Sequence, residues 1–374
     1  MKKFTLSFVA LTVFAISLVA QVTLPPNGDN QKSEFSQYMG LVKITVSYSS
    51  PNVEGRQIWG ELVPYGMTNF NVGKSTRQNP SPWRVGANEN TTITFSHDVQ
   101  VEGNHIKAGV YGLHMIPDQT EWIVIFSNNS TSWGSFFYTP VEDALRVIVK
   151  PVKSEFNEWL TFNFTDRFQN SCTLQLKWEH LTIPVQLKVP NGDDLYVQKI
   201  REEAQGAKGF QGPQFMAWQN WVQAANYCAI KKINLDEAMS WLDTYLNRGL
   251  KYYSLLESKS NVLVAMGKQE DAAATMREAI GLSDATVIQI DRYGRALIEQ
   301  GRFKEALEVF EINLKRYAAH AISRMGMAYG HSAFGDYKKA LKFAKDALSV
   351  ETNSARKAII ESAIKKLEHA QDIN

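Results

Sequence analysis

GRFKEALEVF (Gly301–Phe310) is one of four related stretches whose spacing decides the second half of the chain. LDEAM (Leu235–Met239), QEDAA (Gln269–Ala273), FKEAL (Phe303–Leu307) and YKKAL (Tyr337–Leu341) place Ala238, Ala272, Ala306 and Ala340 34 residues apart each time. Gly267, Gly301 and Gly335 keep the same interval, each five residues before its Ala. A fixed interval of this length means one supersecondary unit stacked on copies of itself. Helical spacing of apolar residues runs from Leu195 onward, so the unit is predicted to be two antiparallel helices. Gly supplies the tight turn, and the small Ala sits where the helices touch. Ile233 stands where the first turn Gly would be, so a degenerate first unit over about 219–252 is expected ahead of three regular ones. ARKAIIESAIKKLEHA (Ala355–Ala370) has polar residues on one face and suits a capping helix that shields the open end of a stack.

The period and the turn glycines resemble tetratricopeptide repeats. Phe310, Ala279 and Ala347 fall on further consensus positions, while Asn313 replaces a small residue. The resemblance implies that the first helices of successive units line a groove, which ordinarily holds a peptide or a protein. In that register the groove presents Asn220, Gln223 and Tyr227, then Glu257 and Asn261, then Asp291, Arg292 and Arg295, and finally Tyr329. The alternative is a groove filled by the chain itself, which would make the repeats a brace.

Before Pro190 the period changes to two. LVKITVSYS, RQIWGELV, TTITFS, GVYGLHMI, EWIVIFS, ALRVIVK, EWLTFNF, CTLQLKW and LTIPVQLKV alternate apolar with polar residues, as half-buried strands do. EGNH, PDQTE and SNNSTS are turn signals between them. About nine or ten strands with no helix between them predict an all-β sandwich, with a flattened barrel as the other solution. The expected organisation is a signal peptide over 1–20, a β-sandwich over 35–190 and all-α repeats over 195–374.

GELVPYG (Gly60–Gly66), PWRVGANENTTITFSHDV (Pro82–Val99), AGVYGLHMIP (Ala108–Pro117), WGSFFY (Trp133–Tyr138) and DALRVIV (Asp143–Val149) occur in the order that resembles the bacterial family of domain of unknown function 2911. The resemblance spans roughly 35–188. It implies an exported protein of the kind common in Bacteroidetes and carries no established activity. Met67 to Pro82 intervene here between the YG and WR motifs, which nearly abut in shorter members.

MKKFTLSFVALTVFAISLVAQ opens with two lysines and an apolar run from Phe4 to Ala20, the pattern of a secretory signal cleaved between Ala20 and Gln21. The other reading is an N-terminal anchor, for which the run is at the short end. Periplasmic or secreted location is therefore expected, with no membrane span after cleavage. Losing Lys2 and Lys3 from 40 basic residues leaves 38, equal to the 38 acidic ones. That neutrality argues against nucleic acid as a partner. Cys172 and Cys228 lie in different halves without a CxxC and read as buried free thiols, an inter-domain bridge being the alternative.

The chemistry-bearing stretch is WRVGANE (Trp83–Glu89). In a functional reading Arg84 binds an anionic or polyhydroxylated ligand, Asn88 orients it and Glu89 is an acid or base. In a structural reading Gly86 turns the chain, Asn88 bonds turn amides, and Arg84 and Glu89 pair with each other or with Arg56. Trp133 with FFY (Phe136–Tyr138) is either an exposed platform for a sugar ring or a partner, or a strand with rings in the core and Trp133 folded over the sandwich end. His97, His105 and His114 lack metal-ligand spacing, so no metal and no cofactor is expected, and no catalytic motif stands out. The expected function is a non-enzymatic binding or scaffolding protein of the cell envelope whose repeats engage a protein or peptide. The alternative is a carbohydrate-directed module or hydrolase in the sandwich using Arg84, Glu89 and Trp133.

Overall fold

VKITVSYSS forms a strand because its alternate residues Val42, Ile44, Val46 and Tyr48 are all buried while Lys43 is exposed. The computed structural model of the chain describes residues 30–204 and 217–374. The expected signal peptide and the Gly-rich loop GAKGFQGPQ lie outside the described residues. The chain divides into two compact units, Met1–Gly192 and Asp193–Asn374.

The first unit is a sandwich of two antiparallel sheets. β1 (Gln31–Met39), β2 (Val42–Ser50), β3 (Thr92–Phe95), β6 (Gly109–Ile116), β7 (Trp122–Ser127) and β8 (Asp143–Val149) form one sheet in the order β1-β2-β3-β6-β7-β8. β4 (Val99–Val101), β5 (Asn104–Ile106), β9 (Val152–Thr165) and β10 (Ser171–Lys188) form the other in the order β5-β4-β10-β9. The sheets meet through aromatic pairs, Tyr48 edge-on to Phe162 at 4.9 Å and Phe35 tilted against Phe164 at 5.1 Å. The Ser50 hydroxyl donates to the Leu160 carbonyl at 2.7 Å, which ties the end of β2 to β9.

Three expectations are corrected. QKSEFSQYM pairs with β2 along its whole length, although only Met39 is buried in it; a polar edge strand blunts further pairing and carries little hydrophobic signal. CTLQLKW and LTIPVQLKV are one strand, β10, whose register slips on either side of Glu179. Pro184 sits past Thr182, the last residue paired with β9, and before Leu187, the first paired with β4, so its missing N–H breaks no ladder bond. RQIWGELV is no strand: Gly60 takes φ 88 and donates to the Val63 carbonyl, folding the segment so that Ile58 and Val63 are both buried. All of Pro51–Thr91 lacks regular strands. A stretch of that length in a compact domain is ordinarily a binding or lid segment.

The second unit holds α1 (Gly192–Ala204) and then helix pairs: α2 (Ala217–Lys231) with α3 (Leu235–Leu246), α4 (Tyr253–Ala265) with α5 (Gln269–Gly281), α6 (Val287–Glu299) with α7 (Phe303–Arg316) and α8 (Ala321–Ala333) with α9 (Tyr337–Val350). α10 (Ser354–Glu368) closes the series. Ala238, Ala272, Ala306 and Ala340 are at most 2% exposed, as the repeat spacing requires. Gly267, Gly301 and Gly335 adopt φ 81, 73 and 75, a conformation that costs glycine nothing. In the first pair Lys232 and Asn234, either side of Ile233, take the left-handed conformation instead. Asn313 is fully buried and donates to the Val287 carbonyl at 3.0 Å. α10 lays Ile360, Ala363, Ile364 and Leu367 over the apolar faces of α8 and α9. No helix among the described residues is long and apolar enough to cross a membrane.

Candidate functional site

The WRVGANE knot is built by unusual backbone. Val85 and Asn88 take φ 59 and 58, and Gly86 takes φ 153, where a side chain would meet the Ser49 carbonyl at 2.8 Å. A buried β-branched residue in the left-handed region costs about 1–3 kcal/mol and needs its surroundings to hold it. Those are present: the Thr91 hydroxyl donates to the Val85 carbonyl at 2.8 Å, and Ala87 N donates to the Ser49 carbonyl at 3.1 Å.

The knot forms one wall of a cavity of about 510 Å³ in the sandwich, within the size range of small-molecule sites. Arg56, Arg84, Asn88 and Trp133 all line it, so four of the five sequence candidates converge. Glu89 does not. Its carboxylate pairs with Lys32 on β1 at 2.5 Å and accepts from the Ser49 hydroxyl at 3.4 Å. Burial raises the Glu89 pKa, but the bond from Lys32 and its neighbours outweighs that, and the net shift is downward. The expected pairing of Glu89 with Arg84 or Arg56 is therefore wrong, because β1, which supplies Lys32, carried no strand signal.

Arg84 lies against Gly134, where any Cβ would stand 2.7 Å from its Nη1, and its guanidinium sits 5.3 Å over the Phe136 ring. Nη1 donates to the Asn88 carbonyl at 3.0 Å. Burial lowers its pKa. Arg56 is held by the carbonyls of Val53 and Asn52 at 3.0 and 2.6 Å. Among the described residues neither arginine has a carboxylate partner, and no Asp or Glu lines the cavity.

The floor is aromatic. Trp83 stacks on Trp178 at 6.0 Å and 13°, and Trp59 meets Trp83, Trp122 and Trp178 edge-on at 5.0–5.8 Å. Among the described residues the indole N–H of Trp178, itself 1% exposed, has no partner. The FFY segment is a run of turns and not a strand: Tyr138 is buried, Phe136 half-buried under Arg84, and Trp133 is 52% exposed at the rim. Met67 to Pro82 folds onto this loop, with Lys74 N donating to the Phe136 carbonyl at 2.7 Å, and adds Thr68 and Phe70 to the wall. Sequence reasoning missed the Trp cluster, since its members come from four separate segments.

The histidines are dispersed. His114 is 2% exposed beneath the Ser135 hydroxyl at 3.1 Å, and burial pulls its pKa down to about 4. His97 contacts Ser96, and His105 pairs with Asp98 at 3.1 Å. Cys172 and Cys228 are buried and free, with thiol pKa values raised to about 11 by burial.

In the helical unit the candidate residues fall on the faces of α2, α4, α6 and α8 that look along the stack. Asn261 donates to Asn226 at 3.1 Å, Arg292 pairs with Glu257 at 2.6 Å, and Arg295 lies 4.4 Å over the Tyr329 ring. Each tie joins one first helix to the next, so Glu257 with Arg292 and Arg295 with Tyr329 are engaged with one another. Tyr227 donates to Asp193 of α1 at 2.7 Å and packs on Tyr196, so at the first pair α1 covers part of the face; Asn220 and Gln223 border the hollow left between them. Asp291 differs. It borders a hollow of about 180 Å³ with Arg295, Ile322, Met325, Tyr329 and Ile359, and among the described residues its buried Oδ1 has no hydrogen-bond partner. Burial raises its pKa to about 6 against the opposing pull of Arg295.

Several solved structures are similar to part of the chain. YrrB, described as a tetratricopeptide protein with an unusual peptide-binding site, is 19% identical with a TM-score of 0.29, over 39% of this chain and 75% of that one. A tetratricopeptide repeat protein from Parabacteroides merdae is 15% identical with a TM-score of 0.33, over 48% and 68%. MamA from Desulfovibrio magneticus is 15% identical with a TM-score of 0.28, over 42% and 97%. No curated protein matches the chain. Residues 30–187 match the family described as Protein of unknown function (DUF2911), and tetratricopeptide-like repeats follow them.

Proposed function

We propose that the chain is an exported binding and scaffolding protein of the bacterial cell envelope, whose helical repeats hold a protein or peptide partner. Export rests on the apolar run Phe4–Ala20 behind Lys2 and Lys3. Partner binding rests on Asp291. A carboxylate with one oxygen buried and unpaired is costly, and a cation from outside would recover that cost. The hollow around it, with Ile322, Met325 and Ile359, suits the stem of a lysine or arginine side chain whose head reaches the carboxylate. Tyr329 and Arg295 at the rim are the residue types that dominate binding energy at interfaces.

Selection of peptides from a random library on the full chain tests this. Bound sequences should be enriched in one basic position. Asp291→Asn should weaken them roughly tenfold, since it removes a charge-assisted bond. Binding should also weaken from pH 7 to pH 5, because the carboxylate protonates on passing below about 6 and loses its charge. Peptides without a basic preference, bound equally by Asp291→Asn, would remove the proposal.

A further inference from the structure

The sandwich cavity has a chemistry of its own, separate from the repeats. Two guanidinium groups, Arg56 and Arg84, face it with no carboxylate partner among the described residues, and no acidic side chain lines it. Arg84 is partly sunk into the wall. A desolvated guanidinium without a counter-ion is unfavourable and becomes favourable when an anion arrives, and its planar fork matches a carboxylate in two parallel bonds. The hydrogen bond to the Asn88 carbonyl uses one Nη1 donor and leaves the rest of that fork unengaged.

The rest of the lining selects what carries the anion. Trp83, half-buried and backed by the stacked Trp178, and Trp133, 52% exposed, both line the cavity, so flat apolar faces are offered by two residues. The lining also carries polar groups that make no side-chain hydrogen bond among the described residues, the Asn88 amide and the Thr68 hydroxyl. An aromatic acid would cover the tryptophans and leave those donors and acceptors unmatched, at a cost for each. A ring with apolar C–H faces and hydroxyls around its edge satisfies both requirements.

We propose that this cavity is a binding site for a carboxylate-bearing sugar, the uronic acid unit of an acidic glycan. Arg84 and Arg56 take the carboxylate, the tryptophans stack on the ring, and Asn88 and Thr68 meet its hydroxyls. The strained backbone at Val85 and Asn88 holds Arg84 and the Asn88 amide in place before the ligand arrives, which reduces the ordering cost of binding.

The test is titration of the full chain with D-galacturonate and its trimer, against D-galactose, benzoate and inorganic sulfate. It is read by tryptophan fluorescence, which the Trp83–Trp178 stack would report, and by calorimetry. The uronate or its trimer should bind saturably. Arg84→Gln should weaken it roughly tenfold to a hundredfold, because charged hydrogen bonds are lost. Arg84→Lys should recover part of the loss. Trp133→Ala, at an exposed position that does not endanger folding, should weaken it less and shift the trimer more than the monomer. The proposal fails if galactose binds as tightly as galacturonate, if benzoate or sulfate binds where the uronates do not, or if neither uronate binds at millimolar concentration. Unchanged affinity in both Arg84→Gln and Trp133→Ala overturns it as well.

Discussion

His114 shows how a single side chain writes a pH dependence into the sandwich. It is enclosed on the face of β6 under Ser135 and the Tyr138 ring, at 5.6 Å, and desolvation holds its pKa near 4 against 6.5 for a free imidazole. Between those values the unfolded chain binds a proton that the folded chain does not. Stability is therefore complete above pH 6.5 and falls as the pH drops toward 4, by up to about 3 kcal/mol. Urea unfolding of the full chain at pH 7 and pH 5 should show this loss, and His114→Gln should remove most of the difference between the two pH values. In sequence this residue looked like one of three scattered histidines. Its burial follows from the loop Asn128–Thr139 crossing β6, and that loop is anchored by a residue distant in sequence, Asn90, whose side-chain amide donates to the Asn129 carbonyl at 3.2 Å and to the Ser132 hydroxyl at 3.0 Å.

The helix pairs illustrate a balance between propensity and packing. Phe310 of α7 is fully buried, and its ring occupies the space beside Gly294 of α6 and Gly326 and Gly330 of α8. A Cβ at Gly326 would stand 2.5 Å from the ring and 3.1 Å from the Asp291 carboxylate. Replacing a helical Gly by Ala gains about 1 kcal/mol in propensity, and overpacking a tight core costs about 1–3 kcal/mol. Gly326→Ala should therefore be destabilising by up to about 2 kcal/mol. Gly281→Ala at the end of α5, where a Cβ meets nothing, should be neutral or stabilising by up to about 1 kcal/mol. Thermal unfolding of the two variants side by side checks the sign of each. The helices themselves were legible from the recurrence of small residues at a fixed interval, because each repeat solves the same packing problem. The strands were less so: β1 carries only Phe35, Tyr38 and Met39 among polar residues, and β10 is continuous through Glu-His because a register slip absorbs the irregularity.

At the scale of the whole chain, stacked helices share their stability with nearest neighbours, so the ends matter most. α10 covers Ala340, Ala344 and Ala347 and Met325, and the terminal Asp372 accepts from the Ser332 hydroxyl at 2.6 Å. Deleting residues 353–374 should leave α8 and α9 with an exposed apolar face. Hydrogen exchange should then show protection lost first in α8 and α9, with α2 to α5 little changed. Uniform loss of protection along all the helices would mean that the repeats fold as one cooperative block.

Periodicity by itself determined the two architectures, a period of two up to Val189 and a 34-residue repeat after it, because burial of one face imposes its rhythm on neighbouring residues. It also singled out the WRVGANE knot, since Gly, Asn and Arg crowded before a strand are locally unusual. Only the tertiary structure decided that Arg56, Arg84, Asn88 and Trp133 share one cavity, that Glu89 belongs to Lys32, and that four tryptophans meet beneath. Those partners lie up to 119 residues apart, from Trp59 to Trp178, and no local pattern records which loops converge when two sheets close on each other.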